Sequence, residues 1–158
     1  MATLEHLCEA GVLIKHQVQA EDGETLQRVL LFTPDFEDWL VNDLPAFPCD
    51  RGRDLSPYDQ AEQIAYEFVV GKRLIFGQDH RKLDPLTRHI WELKTTDVRL
   101  FGWFPLRAHF IAVCAAMKKD LIPSSKYSPY IQRVIAFRDG LDLDEPKSLT
   151  GTSSAEVL

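Results

Sequence analysis

The order of the segments predicts an α+β fold with a largely antiparallel sheet, two helices packed on one face and a C-terminal helix. The helices announce themselves by their starts. Thr33-Pro34 and Ser56-Pro57 each place a capping hydroxyl before a proline, the pair that opens a helix, and Ser128 with Pro129 starts the last one. Between the second and third of these, from His89 to Met117, strand-like runs follow one another with only short breaks. Strands and helices are therefore segregated, as in an α+β fold.

In chain order, Ala10 to Val18 (AGVLIKHQV) reads as a strand and Glu21 to Thr25 as a turn around Asp22-Gly23. Arg28 to Phe32 is a second, more buried strand. In the helix that starts at Pro34, Asp35 and Glu37 complement the dipole. Phe36, Trp39, Leu40 and Leu44 recur at helical spacing, and Pro45 and Pro48 end the run. Cys49 to Leu55 is a polar loop. The helix from Pro57 carries the stripe Ala61, Ile64, Ala65 and Phe68 and stops at Gly71. Ile75 to Pro85 is a loop. Three strands are expected at His89 to Thr95, Val98 to Phe104 and His109 to Met117. The last helix presents Tyr130, Ile131, Val134, Ile135 and Phe137. Residues 1–140 are thus one domain with an N-terminal hairpin. Residues 141–158 form an acidic, then polar tail, expected to be partly disordered at its end.

Composition excludes several classes. The 158 residues are 45% hydrophobic and 27% charged, as in ordinary globular domains. No apolar run reaches the roughly 20 residues that span a bilayer, and the N-terminal stretch is not a secretory signal. Cys8, Cys49 and Cys114 have neither zinc spacing nor a disulfide framework, so reduced thiols in a cytoplasmic protein are expected. The five histidines show no metal spacing, and phosphate-loop, GxSxG and HExxH motifs are absent. No metal and no cofactor is called for.

Charge is the informative feature. The formal net charge is −6, yet Arg88 to Arg138 holds nine cations and three acids, +6 in all, which leaves −12 for the rest. A basic block on an acidic chain points to a polyanion. It coincides with the strands. Glu92 and Lys94 share one face of a strand, and Arg99, Phe101 and Trp103 share a face of the next. Lys118 and Lys119 close the third strand, with Lys126 and Tyr127 soon after. Cations beside exposed aromatics suit single-stranded RNA. The alternative is that Phe101 and Trp103 are core and Arg99 lies along the sheet edge.

Three segments together resemble the RelE/HigB toxins, most nearly their phage-derived HigB-like branch. They are RVLLFTPDFEDWL (Arg28 to Leu40), IWELKTTDVRLFGWF (Ile90 to Phe104) and FIAVCAAMKKD (Phe110 to Asp120). The resemblance covers about Arg28 to Arg138. It implies a toxin–antitoxin system and a metal-independent endoribonuclease of the cytoplasm, cutting mRNA, in many members on the ribosome, and neutralised by a cognate antitoxin protein. By the same resemblance, Lys94, Arg99, Lys118 and Tyr127 take catalytic places, and Lys119, Lys126 and Trp103 contact RNA. Arg99 would clamp phosphate, Lys94 or Lys118 would stabilise the transition state or act as base, and Tyr127 would stack or give a proton. This chain departs from the family in its net acidity, its longer opening hairpin and the acidic run Asp139 to Glu145. The competing reading is a catalytically inactive RelE-like protein-interaction module.

Overall fold

The structure, a computed structural model, describes every residue from Met1 to Leu158. Its strands are β1 (Ile14–Lys15), β2 (Val29–Phe32), β3 (His80–Lys82), β4 (Trp91–Lys94), β5 (Val98–Leu106) and β6 (His109–Met117). Its helices are α1 (Leu4–Glu9), α2 (Pro34–Asp38), α3 (Pro57–Val69), α4 (Ser128–Gly140) and α5 (Ser154–Val157). One sheet runs in the order β1-β2-β6-β5-β4-β3. Every pairing is antiparallel except β2 with β6. The fold is α+β, and the three-strand meander β4-β5-β6 is the one the sequence predicts.

The predicted helix starts are where the helices begin. Thr33 Oγ1 accepts from Phe36 N and donates to the Val113 carbonyl, tying α2 to β6. Ser56 caps α3 by accepting from Asp59 N. Both helices cover one face of the sheet. There Phe68, Trp91, Phe104 and Phe110 form an aromatic cluster, each within 6.4 Å of another ring. On the opposite face α4 packs Ile131, Val134 and Ile135 against Phe101, Trp103 and Ile111.

One element is additional to the sequence reading and three expectations need correction. The N-terminal segment begins with a short helix, because Thr3 caps Leu4–Glu9 and Leu7 is buried beneath it. The strand expected over Ala10 to Val18 shrinks to Ile14–Lys15. Beyond it the chain is polar without alternation, and the amides of Gln27 and Arg28 bond to the Val69 carbonyl rather than to a neighbouring strand. The loop from Ile75 to Pro85 contains edge strand β3, which lacks an apolar signature. The tail is packed. Its acidic run alternates, so Leu141 and Leu143 turn inward while Asp142 and Asp144 stay outside. Farther on, Leu149 N donates to the Phe104 carbonyl, a Ser153–Glu156 capping box starts α5, and Val157 is fully buried.

Candidate functional site at a charged corner of the sheet

The α4 side of the sheet is apolar at its centre and charged at one corner. Register makes the corner. Arg81 on β3 stands across from Glu92 on β4, and Lys94 on β4 across from Arg99 on β5. Since alternate residues share a face, Arg81, Glu92, Lys94 and Arg99 project to one side. The β4–β5 turn is held rigidly. Asp97 accepts from Gln60 Nε2 at 2.7 Å and from Arg53 Nε at 3.2 Å, and Gln60 Oε1 accepts from Asp97 N at 2.8 Å. Burial alone would push the Asp97 carboxyl up, but these hydrogen bonds and the Arg53 charge hold it below its ordinary value.

Glu92 is the centre of the corner. It is 0% exposed, and its Oε1 accepts from Arg81 Nη2 at 2.9 Å and Nε at 3.1 Å. Its Oε2 is buried without a partner, as is Arg99 Nε. Burial raises the Glu92 pKa, against the opposing pull of Arg81, Arg99 and Lys94. Tyr127, half-buried, roofs the group from the turn before α4. Its ring lies edge-on to Phe101 at 5.7 Å, with the Arg81 guanidinium 5.7 Å from its centre. Burial and then the Glu92 charge raise its pKa, while Arg81 and Arg99 act the other way. The phenol therefore keeps its proton at neutral pH. Beside this roof lies a cleft of about 400 Å³ bordered by Arg81, Ser124, Ser125 and Gln132.

The sequence-predicted residues divide. Lys94, Arg99 and Tyr127 do meet around Glu92. Lys118 is exposed and close enough to help lower the Lys94 pKa, after burial, which is the main cause. Lys94 is half-buried and donates to the Gly77 carbonyl at 2.8 Å. Arg99 is not an exposed clamp: it is buried, and its Nη1 donates to the carbonyls of Thr95 and Val98. Lys119 and Lys126 are exposed at the rim. Trp103 is fully buried, and its Nε1 donates to the Lys147 carbonyl at 2.7 Å. It has no face to offer a base, because α4 and the tail cover it. Sequence reading missed Arg81, hidden in an unpredicted strand, and Glu92, whose place beside Lys94 was visible but whose isolation was not. Compared with protein-family models, curated proteins and solved structures, the chain matches none of them. No helix is long and apolar enough to cross a membrane.

Proposed function

We propose that this chain is a RelE/HigB-like endoribonuclease that cuts mRNA by metal-independent acid–base chemistry and is held in check by an antitoxin. The observation that carries this reading is the carboxylate with one free oxygen, enclosed by three cations and roofed by a tyrosine that keeps its proton. Attack by the RNA's own 2′-hydroxyl requires these groups. Glu92 takes the 2′-hydroxyl proton, and its raised pKa makes it a better base than an ordinary carboxylate. The 2′-oxygen bonds to phosphorus and the bond to the 5′-oxygen breaks. Arg81, Lys94 and Lys118 stabilise the charge that gathers on the phosphate, and Tyr127 gives its proton to the leaving oxygen. Arg99 is a positioning residue, fixing the turn and the field around Glu92.

Arg81 has a further part. A guanidinium that exchanges the Glu92 carboxylate for an RNA phosphate binds substrate and frees the base in one movement. The second reading, an inactive interaction module, is favoured by the complete burial of Glu92.

Both readings meet one experiment. The chain is expressed under an inducible promoter in a bacterial host and full-length mRNA is followed by hybridisation. Loss of mRNA with wild type is expected to be about 100- to 1000-fold slower with Glu92→Gln or Arg81→Ala. Circular dichroism of the purified variants checks their folding. Intact mRNA in cells that hold soluble, folded wild type would leave the interaction module.

A further inference from the structure

At the opposite end of β5 from the charged corner lies a groove of about 660 Å³. It opens on the α4 side of the sheet. Its floor is Leu4, Leu31, Leu143 and Leu149, contributed by α1, β2 and the tail. Over β2 the layer of α4 is continued by α1, whose Leu7 packs in the same cluster as Leu31, and the groove runs between α1 and the tail. Four acids edge it: Glu5 and Glu9 from α1, Asp144 and Glu145 from the tail. All four are exposed, and none belongs to an ion pair. The one lysine among the lining residues is Lys15.

We infer that this groove binds a small amphiphilic organic cation, its apolar body on the leucine floor and its amine among the four carboxylates. The volume fits a single drug-sized molecule. Its 16 lining residues fall short of the roughly 20–30 that each partner contributes to a stable protein interface. The charge selects the head group. Unpaired acids at the mouth of an apolar slot repel fatty acids and nucleotides and favour amines. This site is independent of the charged corner and of any reaction there.

Cys8 lines the groove and reports its occupancy. Cys49 is exposed and is replaced by serine; Cys114 is buried, with its pKa pushed up to about 11, and stays silent. Alkylation of Cys8 by iodoacetamide is timed in the presence of decylamine, decanol or decanoate. Decylamine is expected to protect at about one-tenth of the concentration that decanoate requires, with decanol between them. In Glu5→Gln/Glu145→Gln, two exposed changes that leave the floor intact, the preference for amine over carboxylate should shrink while decanol still protects. Absence of protection by all three probes would overturn the proposal. So would equal protection by amine and carboxylate. Alkylation that slows with rising protein concentration and ignores the probes would assign the groove to a second copy of the chain, and would overturn it as well.

Discussion

The two faces of the sheet are built by the same alternation and end differently. Under α2 and α3 the inward residues of β2, β4, β5 and β6 are apolar without interruption: Leu30, Phe32, Trp91, Leu93, Leu100, Phe104, Phe110 and Ala112 are all buried in one cluster. Under α4 the same strands supply Phe101, Trp103 and Ile111, then turn to Glu92, Lys94 and Arg99 at one corner. Across these four strands the first face is a core, with His80 and Lys82 buried beside it on the edge strand β3. The second is a core that gives way to ionisable groups, of which Glu92 and Arg99 are as dry as the core and Lys94 is half-buried. Buried charge is costly unless paired, and Glu92 is only half paired. A chain that needed only stability would place an apolar residue there. The contrast separates what holds the fold from what the fold holds in place.

Trp103 is the sharpest place to break that contrast, because its strand alternation puts it with Arg99 while its burial puts it with the core. Trp103→Ala should cost about 3–5 kcal/mol of stability, as for other buried aromatic truncations. Chemical denaturation reads this directly. A variant of near wild-type stability with weakened RNA binding would return Trp103 to the RNA surface.

His80 provides an intermediate effect. Its ring is buried on the other face, 5.8 Å from Trp91, with Nε2 2.8 Å from Ser154 Oγ. Burial lowers its pKa, with Asp79 opposing and Arg28 assisting. The unfolded chain therefore takes up this proton first as pH falls. The stability due to neutral His80 is complete above about pH 6.5 and declines below it. Glu92 has the opposite sign, since a raised carboxyl pKa favours the folded state as pH falls. Melting temperatures of wild type and His80→Gln, compared between pH 7.5 and 5, should converge toward the acid end. Parallel curves would remove His80 from the pH response.

The smallest effects belong to the rim. Lys119→Ala and Lys126→Ala change exposed residues and should leave stability within about 0.5 kcal/mol. In RNA-binding titrations across salt concentration, each should reduce the slope of log affinity against log salt by roughly 0.7. An unchanged slope would place RNA away from this rim.

Much of this was legible in the sequence, for local reasons. A hydroxyl followed by proline marks a helix start whatever the tertiary context, so Thr33 and Ser56 were read as the caps they are, while Ser128 marks the start of α4 as its first residue without capping it. Alternation put Glu92 with Lys94 on one strand and Arg99 with Trp103 on the next, but neither the register that joins the two pairs nor what covers them. Coverage depends on α4 and the tail, tens of residues away, and so Trp103 read as exposed. Arg81 was hidden because three cationic residues carry no strand signal when a neighbouring strand and the tail hold them. The tail itself read as solvated because its acids outweighed its alternating leucines.

The most direct test of the charged corner is the chemistry of the RNA ends it produces. Fragments from cells expressing wild type are tested for a 2′,3′-cyclic phosphate on one side of the cut and a 5′-hydroxyl on the other. Attack by the 2′-hydroxyl under Glu92 requires both, and Glu92→Gln should yield neither. Fragments with 3′-hydroxyl and 5′-phosphate ends, or the same ends at the same level from folded Glu92→Gln, would contradict the assignment of Glu92 as the base.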